Sequence, residues 1–181
     1  MHIAVLVGSL REGSHNARVA EAMAKLAPDE VTFARSRLDD LPPYDQDEDG
    51  DPAPSVLRLK EEIARADGVM FVTPEYNRSV PGVLKNAIDH ASRPYGRGVW
   101  AGKPAGVIGV SVGALGTATA QQHLRNILAY LDMPTLGQPE AFLRWTDEMV
   151  DDQGRIGPGS RDFLQRWMDR FVAWVRLHAA P

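Results

Sequence analysis

Three short runs, Ile3 to Val7, Gly68 to Val72 and Ala105 to Val112, are apolar with scarcely a break, and they stop at Gly8-Ser9, Thr73-Pro74 and Gly113. A strand with one wet face alternates apolar and polar side chains, whereas a run apolar on both faces suits a strand covered by helices on both sides. Between the runs the period becomes helical: Ala20, Met23, Ala24 and Ala27; Val56, Leu59 and Ile63; Leu84, Ala87, Ile88 and Ala91; Leu124, Ile127, Leu128 and Leu131. Weaker strands are read at Val31 to Ala34 and within Leu136 to Leu143. A closing amphipathic helix, from about Arg161 to His178, puts Leu164, Trp167, Met168, Phe171 and Val175 on one face. Five strands alternating with five helices imply right-handed crossovers, so the fold class is α/β, a doubly wound parallel sheet with helices on both faces. Ligands of such sheets bind outside the carboxyl ends of the strands, where the strand order reverses. The loops after the strong runs are therefore the places to look for chemistry.

The 181 residues fit one domain spanning 1–181, and no linker divides them. A formal charge of -4 and the lack of any long Lys/Arg run leave no electrostatic footprint for nucleic acid or an anionic membrane. With no cysteine, disulfides, thiolate metal sites and thiol catalysis are excluded, and a cytoplasmic location is expected. The apolar run directly after Met1-His2 lacks the basic region and cleavage site of a signal peptide. Pro104 to Leu124 is uncharged apart from its His, but glycines and hydroxyl residues interrupt it, and it reads as a strand running into a helix, not a membrane span.

The first loop reads Gly8-Ser9-Leu10-Arg11-Glu12-Gly13-Ser14-His15-Asn16. Glycines allow a tight turn, hydroxyls and an amide supply donors, the following helix presents unpaired N–H groups, and Arg11 adds a fixed positive charge. These features together make an anion site. Capping of the helix by Ser14 and Asn16 explains one or two of these residues and leaves the rest of the cluster. Neither GxGxxG nor GxxxxGK[ST] is present, which argues against a dinucleotide pyrophosphate or a nucleoside triphosphate at this loop. The second loop, Thr73 to Gly82, carries Glu75, Tyr76, Asn77 and Arg78 ahead of a helix that Pro81 can start from its first turn. For Tyr76 and Asn77 an ordinary loop accounts for the spacing equally well. The third, Ser111 to Thr117, has two glycines that let backbone N–H groups approach a ligand, or else forms a tight turn with Thr117 as helix cap.

Gly8-Ser9-Leu10-Arg11 with Ser14 and Asn16, and the unbroken string Pro74 to Asp89 closing on Ser92-Arg93-Pro94, resemble the NADPH-dependent FMN reductase family. That group includes quinone, azo-dye and chromate reductases of the flavodoxin-like superfamily. The resemblance runs over most of the chain and thins after about Gly137. It implies a flavodoxin-like sheet in the order 2-1-3-4-5, bound FMN, NADPH or NADH as co-substrate, and a homodimer or homotetramer. It carries over to Ser9, Arg11, Ser14, His15 and Asn16 as phosphate-loop residues, to Pro74, Glu75, Tyr76 and Asn77 along the isoalloxazine, and to Ser111 and Gly113 at its other edge. His90 departs from the Trp the family often has in a helix that often lies at the dimer interface, which puts the interface chemistry in question. The implied reaction passes hydride from NAD(P)H to flavin N5 and on to a quinone-like, azo or metal-oxyanion acceptor or to free flavin, with no side chain required as acid or base. Arg78 and Arg93 are candidates for the NADPH phosphate, and serve equally well as solvent-facing charges.

Other readings compete. A flavodoxin-type carrier would hold FMN without oxidising NAD(P)H, but flavodoxins are usually more acidic and have a Thr/Ser-rich phosphate loop where this chain has Arg11. Gly109-Val110-Ser111-Val112-Gly113 matches a nucleophile elbow, with Asp147 or Asp169 and His178 in triad order and Ser111 as the nucleophile of a serine hydrolase, but His178 sits at the tail of an amphipathic helix and no HGGG-type oxyanion segment lies upstream. Asp45-Gln46-Asp47-Glu48-Asp49-Gly50 begins like an EF-hand loop, but Val56 stands where a Glu is required and flanking prolines deny the helices. The five histidines show no metal-ligand spacing.

Overall fold

In the computed structural model, which describes residues 1–178, the elements run β1 (His2–Val7), α1 (His15–Ala24), β2 (Thr32–Arg35), α2 (Pro54–Arg65), β3 (Gly68–Val72), α3 (Gly82–Ala91), β4 (Ala105–Ser111), α4 (Ala118–Tyr130), β5 (Ala141–Arg144) and α5 (Pro158–His178). The last three residues of the expected 1–181 domain lie outside the described residues. All strands are parallel in the order β2-β1-β3-β4-β5. The chain winds outward from β1 to β2, then crosses back to β3 on the other side. The order thus reverses between β1 and β3, whose register brings Val7 opposite Val72 at their carboxyl ends.

The double winding follows from strand alternation. Ile3, Val5 and Val7 of β1, with Met70, Val72, Ile108 and Val110, face α1 and α5. Ala4 and Leu6, with Val69, Phe71, Ala105 and Val107, face α2, α3 and α4. Two cores, one per face, replace the polar surface an open sheet would need. The anticipated face of α5 is buried throughout, and its Trp167 and Phe171 rings stack at 5.3 Å against Gly106, where a Cβ would meet Phe171 at 2.6 Å. Burying each of these side chains contributes about 1.5–3 kcal/mol.

Element ends differ from the sequence expectations where local chemistry takes over. β4 stops at Ser111, and Val112 leaves the sheet 70% exposed. β2 and β5 reach one residue further than expected, to Arg35 and Arg144, edge positions whose side chains face water. α1 ends at Ala24, so Ala27 packs on the core from outside the helix. Pro81 caps α3 and does not occupy its first turn. The acidic Asp45–Gly50 segment is a short 3-10 turn whose Asp45 carboxylate accepts from the Asp47 N–H at 3.0 Å.

Candidate functional site

Small residues bring the three loops together at the carboxyl edge. Gly8 donates its N–H to the Val72 carbonyl at 2.9 Å. A Cβ on Gly8 would lie 3.2 Å from Pro74 and 3.3 Å from Pro81 and Leu84, so the first loop rests directly on the second. On Gly109 a Cβ would collide with the Thr73 carbonyl and Thr117 Oγ1, which lets the second and third loops close over β4. Gly116, at φ +54°, turns against the backbone of Phe142 and Leu143. The elbow-like pattern around Ser111 is therefore a packing requirement at Gly109 followed by a solvent-exposed glycine at 113, where a Cβ has room.

The first loop is built for an anion. The Ser14 N–H bonds the Arg11 carbonyl at 3.2 Å, closing a turn through Gly13 at φ +67°. Ser14 caps α1, its Oγ accepting from the Ala17 N–H at 3.2 Å and keeping its own proton to donate. Among the described residues no acceptor takes the N–H groups of Arg11, Glu12, Gly13, His15 or Asn16. They point from a helix N-terminus, with the Arg11 guanidinium exposed beside them and Ser9 nearly buried at the foot of the loop. That donor set fits a phosphate.

Asn16 departs from its expected role as a phosphate ligand. Its side chain is buried, with Nδ2 donating to the Val110 carbonyl at 2.9 Å and Oδ1 accepting the Val110 N–H at 3.0 Å. β3 ends before Val110, and the Asn16 amide continues the ladder there. Only the backbone N–H of Asn16 faces the loop's anion site. His15 stacks on Trp145 at 4.0 Å, and the Arg18 guanidinium sits 4.9 Å from the same indole. The His15 Nδ1 is buried without a hydrogen-bond partner. Burial, then the charges of Arg11 and Arg18, hold the His15 pKa below its ordinary value, against a weaker opposing pull from Asp147.

In the second loop Tyr76 and Ser79 exchange both backbone hydrogen bonds at 3.0 Å, with Asn77 and Arg78 left-handed at φ 51° and 66°. This two-residue hairpin turn favours Asn-Gly, and Arg in the second place carries strain. The Glu75 carboxylate crosses to α4, accepting the Ala120 N–H at 3.0 Å, and Ser79 Oγ lies 3.0 Å from His123 Nδ1 on the same helix. Thr117 does not cap α4 with its side chain; its φ is 71° and its Oγ1 accepts from Gln121 Nε2 at 2.9 Å. Ser111 Oγ turns into its own loop, donating to the Gly113 carbonyl at 3.3 Å. Around these loops Leu10, Tyr76, Val112 and Leu115 are half to mostly exposed, an apolar rim.

His178 stands at the other edge of the sheet. Val175 packs on Gly68, which opens β3, while Ser111 closes β4. With α5 running antiparallel to the strands, the length of the sheet separates them and no Ser111–His178 dyad forms. His90 is 7% exposed and turned inward; its Nε2–H donates to the Pro42 carbonyl at 2.9 Å and the ring meets Tyr44 edge-on. It packs the 42–44 segment onto α3 within the chain. Trp145, the Glu75 cap and His123 were missed in the sequence. Trp145 directly follows β5 at the carboxyl edge, and that position was the available signal.

A model of the NADPH-dependent FMN reductase family matches residues 1–146. A 2-hydroxy-1,4-benzoquinone reductase of a Burkholderia species is 52% identical over 178 residues, 97% of each chain. The structure of FerB, a flavoenzyme NAD(P)H:(acceptor) oxidoreductase from Paracoccus denitrificans, superimposes with a TM-score of 0.95 at 43% identity over 99% of both chains. A WrbA-like flavodoxin from Agrobacterium tumefaciens, 18% identical with a TM-score of 0.61 over 98% of each chain, shares the fold.

Proposed function

The chain belongs to the NADPH-dependent FMN reductase family, and from that premise we propose that it reduces quinone-like acceptors at the crevice between its first three carboxyl-edge loops. It is an FMN-dependent oxidoreductase with NAD(P)H as electron donor. FMN, when bound, takes hydride from NAD(P)H and passes electrons to the acceptor. Arg11, the Ser9 and Ser14 hydroxyls and the free N–H groups at the head of α1 would hold its phosphate. Pro74 to Asn77 would line one side of the isoalloxazine, and the Ser111–Gly113 turn the other. The apolar rim of Leu10, Tyr76, Val112 and Leu115 would exclude water and accept a flat, weakly polar ring.

The observation that carries this reading is the convergence of an anion-binding turn and an apolar rim at the point where strand order reverses. Purified protein with added FMN should oxidise NAD(P)H in the presence of a benzoquinone; a flavodoxin-type carrier would not. Arg11→Ala should weaken FMN binding about 10- to 100-fold, the worth of a charge-assisted hydrogen bond, while riboflavin binding changes little. Equal losses for both ligands would remove Arg11 from the phosphate site.

The acceptor is a small molecule, and the partner we propose is a second copy of the chain. A groove of about 870 Å³ between α3 and α4 is edged by Tyr95 and Tyr130, which are 86% and 82% exposed. No helix among the described residues is long and apolar enough to cross a membrane. We place the protein in the cytoplasm on the absence of cysteine.

A further inference from the structure

We infer that Glu75 is a positioning residue that straps the second loop to the head of α4 and sets the charge the cofactor crevice feels from that helix. α4 lacks the usual means of finishing its N-terminus. Its N-cap residue, Thr117, is left-handed and spends its hydroxyl on Gln121, and its first turn holds no acidic side chain. The first four N–H groups of a helix ordinarily seek partners beyond its hydrogen-bond ladder, and together they carry about half a positive charge. Here the carboxylate comes from 45 residues earlier: Glu75 Oε2 accepts the Ala120 N–H at 3.0 Å. The Glu75 side chain is 11% exposed, and Arg78, the nearest cation, stands 3.9 Å away on the strained turn with 68% of its side chain in water.

Two consequences follow from one contact. Mechanically, the bond fixes Tyr76, the next residue, in relation to the third loop, because Ser79 is held to His123 on the same helix. Electrostatically, a full negative charge opposes the positive end of α4 beside the crevice. Reduction adds negative charge to a flavin, so neutralising the helix end holds back the reduced cofactor relative to the oxidised one. This step rests on the proposed seat of FMN between the loops.

Two substitutions separate the roles. Glu75→Gln keeps an oxygen that can accept the Ala120 N–H and removes the charge; Glu75→Ala removes both. For the Gln variant, unfolding of the flavin-free protein should stay near the parent's, since the Ala120 N–H keeps an acceptor. The ratio of reduced to oxidised FMN affinity should rise about two- to fivefold, the range of a helix-end charge, with a more positive midpoint potential. For the Ala variant, the flavin-free protein should unfold at lower denaturant and oxidised FMN should bind more weakly. A Gln variant with the parent's affinity ratio would overturn the charge role, and an Ala variant with the parent's unfolding midpoint and FMN affinity would overturn the strap. Failure of the parent protein to bind FMN would instead sink the proposed function, and the unfolding comparison would still decide the strap.

Discussion

His15 shows how a single ring couples the phosphate turn to protonation. Burial and two neighbouring guanidinium groups hold its pKa below 6.5 in the folded protein. Between the folded value and 6.5 the unfolded chain therefore binds more protons than the native one, and stability rises with pH across that window. Above it His15 is neutral in both states and the contribution is complete; below the folded value the loss is complete. Urea unfolding of the flavin-free protein should accordingly show a smaller rise between acid and neutral pH in His15→Phe, which keeps a ring against Trp145 and has nothing to titrate. Identical pH profiles for the two proteins would mean that the ring is not held neutral.

Asn16 belongs to the scale of elements, because its amide joins α1 to β4 where the sheet ladder has run out. Asn16→Ala leaves the Val110 N–H and carbonyl unpaired in the interior and should cost about 2–4 kcal/mol, two buried hydrogen bonds, in denaturant unfolding. FMN and riboflavin should be weakened alike, in contrast to Arg11→Ala; a loss confined to FMN would return the side chain to the phosphate. The strands, the helix faces and the position of the three loops were legible because period and run length report directly on burial. The direction of a buried amide was not, since Asn after a helix cap serves a phosphate or a neighbouring strand with the same residue type. Glu75 was equally opaque. Its partner is a backbone N–H on α4, which leaves no mark in the sequence beyond the lack of an acidic first turn. The elbow-like glycines were ambiguous for a related reason: spacing records that Gly109 must be small, not that the Thr73 carbonyl and Thr117 are what require it.

At the scale of the whole molecule, the face between α3 and α4 is the part of the protomer that its own fold does not finish. Two tyrosines stand almost entirely in water on either side of a groove floored by Ile88, Trp100 and Ile127, and Lys85 and Asp89 pair along it at 2.8 Å. Large aromatics at the lip of an apolar groove are the side chains that anchor interfaces, and a twofold arrangement presents each protomer's tyrosines to its partner's groove. Each can bury about 150 Å² or more, against roughly 800 Å² per partner in a stable interface, so losing one anchor to a charge is a large fraction of the whole. On the proposed pairing of two copies, the parent should sediment as a dimer and Tyr130→Glu as a monomer in sedimentation velocity; a monomeric parent would remove the pairing. The monomer itself should keep its denaturant stability to within about 0.5 kcal/mol, because an exposed side chain contributes little to its own fold. A variant that sediments with the parent would place the contact on another face, and one that unfolds early would mean that Tyr130 supports α4 within the protomer.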